Sequence, residues 1–498
     1  MLGISPKSFE DFLEETKKGN VVPVIRKVLA DLNTPVGAFL QVCSSSDRFF
    51  LFESIEGGEH LARYSFLASN PYLVVRARGK KVIIEEFSEI KTLENVSIFD
   101  YLKKHFKERK LAVRSGLPPL CGGAVGFLAY DSVRFIEPVL DDGRESNSND
   151  AVWMFFKNVV VFDHLRQAIE IVSVVFTDEA EADENILREL YQIAIAETER
   201  IERLLLQPIP LPVNPLVQDK NKRILSNFTK TEFIEAVKRI KEHILAGDVY
   251  QVVLSQNLKQ ETIAAPINIY RALRAINPSP YMFFLRTGYE TLIGSSPEML
   301  IRVRGRTLEC RPIAGTRKRG KDENEDWILS EDLRSDEKEI AEHVMLVDLA
   351  RNDLGKVAEF GSVEIEELMK IEKYSHVQHM VTSLKATLRS DLDCFDALMA
   401  CFPAGTVSGA PKVSAMKIIR ELEPSPRGVY AGAVGYVDYA GNLDTCIAIR
   451  TIQITGSVAS VQAGAGIVAD SVPEKEYQET LNKAKALIQA IEVAEKKL

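Results

Sequence analysis

The sequence is short of the residues from which the commonest small sites are built. Its six cysteines, at positions 43, 121, 310, 394, 401 and 446, stand far apart and form no C-x-x-C pair. Neither a zinc site nor a dithiol motif is signalled, and scattered thiols in so long a chain suit a reducing compartment. No apolar run approaches the ~20 residues a membrane helix needs. The stretch MLGISPKSFEDFLEETKKG turns acidic too early for a secretory leader, so a cytoplasmic protein is expected. There is no basic tail: 62 Lys+Arg face 71 Asp+Glu, a net charge of −9 over 498 residues. That balance argues against nucleic acid and anionic membrane as partners. Walker and Rossmann spacings are missing, and no serine triad or cysteine–histidine arrangement stands at useful spacing.

The length predicts two or more domains, or one large interleaved body. The clearest punctuation is PIPLPVNPLVQDKNK (208–222), with four prolines in its first eight residues. Proline withholds the donor that a helix or ladder needs, so this is an extended linker or crossover. A boundary near residue 215 divides an N-terminal domain, 1–215, from a second domain, 216–498. A charged helical stretch (179–206) precedes it. The following helix opens on the capping box Thr229-Lys-Thr-Glu232 and closes at Gly247.

β-Branched and aromatic runs predict strands at 36–42, 48–54, 72–77, 81–87, 153–162 and 169–176. Beyond the linker, strands are expected at 249–259, 281–287, 291–296, 299–304, 307–311, 361–367, 374–387, 430–439, 443–455 and 458–468. Helices are expected at 230–246, 267–276, 335–353, 394–401, 411–422 and 474–496. Short turns such as Arg304-Gly305 imply antiparallel pairing. The fold class is therefore α+β, with large, mostly antiparallel sheets flanked by helices.

Several segments have chemical potential and a plain structural alternative. Glu339 and Glu342 share a helix face, as do Glu476 and Glu479, and two such pairs suit a hard dication. Among 71 acidic residues, however, such spacings arise by chance. QAGAGIVADS (462–471) places glycines where a strand is expected to finish: an anion loop or a tight bend. FPAGTVSGAPK (402–412) leads into a helix start, which attracts anions or merely caps itself. His379 lies in a strand-like run, as packing residue or acid–base group. In RPIAGTRKRG (311–320), cations crowd a Gly-Thr pair, for a small anion or for solvation. Ser54 is a turn cap or the wall of a cavity.

Taken together, PIAGTRKRG, SDEKEIAEHVMLVDLARNDLGKV (335–357), YSHVQHMVTSL, GTVSGAPKVSAM, YAGAVGYVDYAGNLDTCIAIRT (430–451) and VQAGAGIVADSVPEKEYQET (461–480) resemble the chorismate-utilising enzymes. Among these the resemblance is greatest to the large, synthase subunits of anthranilate synthases. It covers most of 225–496 and, more loosely, FLFES (50–54) and ARYSF (62–66). It implies Mg²⁺ on Glu342 and Glu479, with Glu339 and Glu476 beside them. It implies chorismate contacts from Gly315, Thr316, Tyr430, Arg450 and the backbone of Gly464, Ala465 and Gly466, with Thr406 lining the ring. The cations of 311–320 would then draw a dianionic substrate inward.

The implied reaction adds ammonia at ring C2 while the C4 hydroxyl leaves, with Glu298 as candidate general acid. His379 then serves the elimination of pyruvate that yields anthranilate, in the first step of tryptophan biosynthesis. A rival branch, the aminodeoxychorismate synthases, usually carries Pro-Ile-Lys-Gly-Thr in the same loop, with lysine as nucleophile; Ala314 stands at that position. Isochorismate- and salicylate-forming relatives carry a water-activating lysine where Gln251 stands. The resemblance further implies a separate glutamine amidotransferase subunit as ammonia source, commonly within a heterotetramer. It also implies tryptophan feedback through Glu53, Ser54, Pro280, Tyr281 and Met282.

Overall fold

The computed structural model describes residues 2–55, 63–87, 89–141, 143, 148–181, 183–212, 223–374 and 377–498. Among these residues, strands form two sheets of 13 and 12 strands, joined by antiparallel ladders. The α+β class holds.

Each sheet combines strands from both sides of the proline-rich segment, whose expected boundary near 215 lies outside the described residues. In the first sheet Arg48–Glu53 pairs with Tyr281–Thr287, placing Glu53 opposite Met282. In the second, Gly123–Leu128 pairs with Ala433–Asp438, Val125 opposite Tyr436. The inner faces share one apolar layer, including Phe50, Phe66, Phe127, Phe156, Phe283 and Val434. Outside the first sheet pack Pro35–Val42, Glu184–Leu205, Pro266–Ile276 and Pro473–Lys497. Outside the second pack Ile98–Glu108, Glu337–Gly355 and Cys394–Cys401. The order is helices, sheet, sheet, helices. Apolar residues bury both faces of both sheets, which is why many strands lack clean alternation.

Some expected elements differ. The segment 36–42 is not a strand but the helix Pro35–Val42: Thr34 caps it by accepting from Gly37 N at 3.1 Å, and Pro35 starts it. A run such as VGAFLQV satisfies either period, and the cap decides. The run 153–162 is two strands, Ala151–Phe156 and Asn158–Asp163, joined through Lys157. Helices Phe9–Thr16, Ile98–Glu108 and Glu323–Ser335 were not foreseen. The expected helix 230–246 is Lys230–Ala246, with its capping box formed and Gly247 at φ 83° ending it.

Two breaks place the site. Thr291–Ser296 belongs to the first sheet and Met299–Arg304 to the second, so the chain crosses between sheets at Pro297-Glu298. The expected strand 443–455 likewise divides into Leu443–Ile447 in the second sheet and Thr451–Thr455 in the first. At that crossing Arg450 takes φ 50°. The crossings are bonded together: Ile447 N donates to Glu298 O at 3.0 Å and Ser295 N to Arg450 O at 3.1 Å.

Residues 223–498 expressed alone would leave Tyr281–Thr287 and Ala433–Asp438 with bare edges and half of the inter-sheet layer exposed. The fragment is expected to aggregate and to lack near-ultraviolet dichroism. Co-expression with 1–212 should restore both monodispersity and dichroism.

Candidate functional site

The site is assembled around the two crossings. On one side, Ile313–Lys318 pairs with Val377–Thr387, setting Thr316 opposite His379. The His379 ring nitrogen Nδ1 lies 3.0 Å from the Gly315 carbonyl and 3.1 Å from Thr316 Oγ1. A carbonyl accepts only, so Nδ1 carries the proton and Nε2 the lone pair. Burial lowers the pKa of His379; the bond to Gly315 partly opposes this, and the nearby Arg450 charge adds to it. The imidazole is therefore a neutral base. Gly315 adopts φ 68°, and a Cβ there would meet Leu333 at 2.7 Å, so glycine is required.

The cations of 311–320 have other work than the one expected from sequence. Arg317 reaches Asp332 at 2.6 Å, Asp336 at 2.7 Å and Glu339 at 3.2 Å. Arg319 pairs with Asp326 at 2.6 Å and Arg311 with Glu372 at 2.5 Å, while Lys318 stands 3.8 Å from Glu325. These charges are neutralised by carboxylates of Glu323–Ser335, Glu337–Gly355 and Glu364–Lys373. They anchor the strand to its neighbours rather than presenting a positive field to an anion. Arg319 foremost, and then the Gly320 amide, hold Asp326 well below the ordinary carboxylate range.

On the other side stand Arg450, Tyr430, the glycine strand and the C-terminal helix. Arg450 is half-buried, and Nη1 donates to the Lys483 carbonyl at 3.1 Å. Burial lowers its pKa, while Tyr430 and Glu479 oppose the shift. Gly464, Ala465 and Gly466 do not form a bend; they lie within the strand Val458–Ile467. A Cβ on Gly464 would sit 2.7 Å from the Tyr430 hydroxyl, and one on Gly466 2.6 Å from Gln251 Nε2. The glycines thus let side chains approach a bare strand. Burial raises the Tyr430 hydroxyl to about 12.

Lys483 was missed in the sequence. It sits one turn beyond Glu479, pairs with it at 2.6 Å and donates to the Gly464 carbonyl at 3.0 Å. Its i,i+4 spacing from Glu479 is a legible signal, but a common one on solvated helices. With Arg450 it supplies the cationic charge of the site, which the cluster at 311–320 does not.

Four carboxylates face this region: Glu339 and Glu342 from Glu337–Gly355, and Glu476 and Glu479 from Pro473–Lys497. Burial raises the pKa of Glu342, and Glu339 and Glu479 raise it further. Glu476 is raised by burial and then by Glu479, against the lowering bond of Ser471. Among the described residues no three metal-ligating side chains already stand as an ion cage. Hard oxygen donors in mutual repulsion nevertheless fit Mg²⁺, which binds through one or two carboxylates and completes its shell with water and ligand.

Glu298, at the first crossing, is buried, which raises its pKa to about 7, with Thr406 and Lys483 lowering it against that trend. Thr406 lies on the short helix Gly405–Ser408, and its Oγ1 is buried without a well-formed hydrogen bond. It is close enough to temper Glu298 yet retains bonding capacity.

The residues expected to bind tryptophan lie apart from this cluster. Glu53, Ser54, Pro280, Tyr281 and Met282 all line a cavity of about 690 Å³. Phe52, Val434 and Phe283 give it apolar wall. Among the described residues no hydrogen-bond partner meets the buried Ser54 Oγ there. The Glu53 carboxylate is already bound by Tyr270 Oη at 2.6 Å and by Arg274 Nε and Nη2 at 3.1 and 3.2 Å. Tyr281 Oη donates to Asp444 at 3.0 Å.

Glu298 also provides a stability test. Its folded-state pKa of about 7 exceeds the ordinary 4.5. Between these values the folded state holds a proton that the unfolded state has lost, so this group costs stability as pH rises through 7. Glu298→Gln removes the cost and is expected to gain about 1–3 kcal/mol relative to the parent between about pH 5 and about pH 8. Urea unfolding at both pH values measures it; a pH-independent difference would refute the burial effect.

The family model for chorismate binding enzymes matches residues 47–489. The chain is 47% identical over 484 residues to anthranilate synthase component 1 of Acetivibrio thermocellus, covering 96% of this chain and 97% of that protein. Identity to the same component of Aquifex aeolicus is 46% over 490 residues, covering 98% of each. The crystal structure of anthranilate synthase component I from Streptococcus pneumoniae superposes with a TM-score of 0.75 at 34% identity, covering 92% of this chain and 98% of that one. The menaquinone-specific isochorismate synthase of Escherichia coli shares the fold, with a TM-score of 0.69 at 21% identity over 97% of this chain and 98% of that one. End-to-end likeness of this extent places the chain in the family of chorismate-binding enzymes.

Proposed function

We propose that the chain is the synthase component of an anthranilate synthase, converting chorismate and ammonia to anthranilate and pyruvate. The observation that carries this reading is the pairing of Arg450 and Lys483 with a neutral His379 and a proton-holding Glu298 around one glycine strand. Two cations suit the two carboxylates of chorismate. Glu342 and Glu479, with Glu339 and Glu476 adjacent, would hold Mg²⁺, which supplies charge to anchor a substrate carboxylate.

Ammonia attacks C2, and Glu298, protonated near neutrality, gives its proton to the departing C4 hydroxyl, which leaves as water. His379 Nε2 then takes the C2 proton while the C3–O bond breaks, releasing pyruvate and an aromatic ring. Thr316 and the Gly315 carbonyl keep the imidazole in the tautomer this step requires. Ala314 is buried and brings no amine, and Gln251 brings no base, so a free amine must be the nucleophile.

The ammonia is proposed to come from a glutamine amidotransferase partner. The thiols of this chain do not suit glutaminase chemistry: burial pushes Cys43 and Cys310 to about 12 and raises Cys121, Cys394, Cys401 and Cys446 as well. The 690 Å³ cavity is proposed as a tryptophan feedback site, with Ser54 Oγ free for the amino-acid backbone and the apolar wall for indole. The reaction class is a lyase. Among the described residues no helix is long and apolar enough to cross a membrane.

The test is to incubate the pure chain with chorismate, Mg²⁺ and an ammonium salt and to identify the product. Anthranilate is expected with ammonia and none with glutamine alone, and activity should disappear on chelation and return with Mg²⁺. 4-Amino-4-deoxychorismate, isochorismate or salicylate as main product would overturn the assignment.

Ser54→Phe should fill the cavity without disturbing the site. Turnover is expected to stay near normal while half-inhibition requires at least about tenfold more tryptophan, the size of a typical coupling energy. Unchanged inhibition in a folded, active variant would place the regulatory site elsewhere.

A further inference from the structure

Behind the site, Glu423 and Arg427 form an ion pair whose side chains are 3% and 1% exposed. Charges hidden so fully persist where hydrogen bonds compensate their lost water, and here four bonds leave the guanidinium. Arg427 Nε and Nη2 donate to the two Glu423 oxygens at 2.9 and 2.7 Å. Nη1 donates to the Val407 carbonyl at 2.7 Å, and Nη2 also to the Val253 carbonyl at 2.6 Å. The guanidinium carbon lies 4.6 Å from the centre of the Tyr130 ring and 5.5 Å from that of Tyr430. Glu423 Oε1 accepts from Ser255 N and Ser255 Oγ, both at 2.8 Å. Ser255 Oγ in turn accepts from Gln462 Nε2 at 2.8 Å.

Four arms of this network end beside a residue of the site. Val407 follows Thr406; Val253 is the register partner of Gly466; Gln462 lies two residues before Gly464; and Tyr430 faces Gly464. Arg427 itself is buried, with Tyr430 against its guanidinium. Resting on the reading of this cleft as a chorismate site, we infer that Arg427 is a positioning residue. Its guanidinium, oriented by Glu423, sets the Tyr430 ring, the Thr406 turn and the glycine strand in the spacing that chorismate requires. The planar fork is needed for this: a lysine could satisfy one carbonyl but could not hold two carbonyls, a carboxylate and two ring faces together.

A merely structural pair behaves differently. Replaced by apolar side chains of similar volume, it often costs little stability, and its loss would change the amount of active protein, hence apparent kcat, but not the affinity of what folds. The test therefore compares Arg427→Lys and the double variant Arg427→Met/Glu423→Met with the parent chain in the ammonia-dependent reaction. For folded variants with parental near-ultraviolet dichroism, the chorismate KM is expected to rise by about tenfold or more, the scale of a displaced binding contact, while the ammonia KM stays unchanged. A chorismate KM within about twofold of the parent in either folded variant would overturn the role. So would failure of both variants to fold, which would make the pair a folding element. A parent chain that neither binds nor turns over chorismate would instead remove the functional reading, and this role with it.

Discussion

The constraint on which the rest depends is the double crossing between the sheets. A strand that stays in one sheet alternates its side chains between a shared apolar layer and a helix-covered face. Neither position admits a charge without penalty. At Glu298 and Arg450 the chain leaves one sheet and joins the other, so both side chains emerge at the seam rather than in a core. The crossings support each other through Ile447 N to Glu298 O, Ser295 N to Arg450 O and Ser296 Oγ to Ile447 O at 2.7 Å. The left-handed φ of Arg450 is strain held by that double bonding. A carboxyl group and a guanidinium thereby share one seam, and the C-terminal helix closes it with Lys483, Glu476 and Glu479.

Charge density along the sequence is a poor guide to where this fold presents charge. The densest cationic run, 311–320, is consumed by ion pairs, whereas Arg450 and Lys483, isolated from other cations in the sequence, both meet backbone carbonyls, Lys483 with Glu479 as a single carboxylate partner. The reason is geometric. A strand beside two acidic helices finds partners within a few ångströms, and paired charges cancel at the distance of a ligand. Among the described residues Arg450, flanked by the glycine strand and Tyr430, meets no carboxylate at ion-pair distance, whereas Lys483 is shared between Glu479 and the Gly464 carbonyl.

Much of the fold was legible where local chemistry acts alone. The helix Lys230–Ala246 followed from its cap and its terminal glycine, and strands Tyr281–Thr287, Thr291–Ser296 and Met299–Arg304 from composition. The segment Pro35–Val42 was lost because its apolar run satisfies either period and only the Thr34 cap with Pro35 marks it as a helix. The continuous expectation for 443–455 missed the break at Arg450, because leaving a sheet is dictated by partners distant in sequence. Within the site, family resemblance singled out Glu298, His379 and Arg450. Lys483 and the Glu423–Arg427 pair carry only the common i,i+4 spacing of ion pairs, since their meaning lies in which carbonyls they meet.

The same topology connects the 690 Å³ cavity to the chemistry. Its wall includes Tyr281 and Met282 from one strand and Asp444 and Cys446 from another. The first strand runs through the turn into Thr291–Ser296 and so to Glu298; the second runs directly to Arg450. Tyr281 and Asp444 are bonded to each other, and Arg302 reaches both, at 3.2 Å to the Tyr281 hydroxyl and 2.8 Å to Asp444. A ligand that spreads or tightens this pair acts on the two strands whose ends hold the acid and the cation. It need favour one spacing over the other by only about 1–3 kcal/mol to change occupancy of the site severalfold or more. Because packed strands shift as units rather than deform continuously, that small preference is delivered to the seam intact. On the proposed reading, feedback and catalysis would be two uses of one crossing, which a fold of two separately closed sheets could not provide.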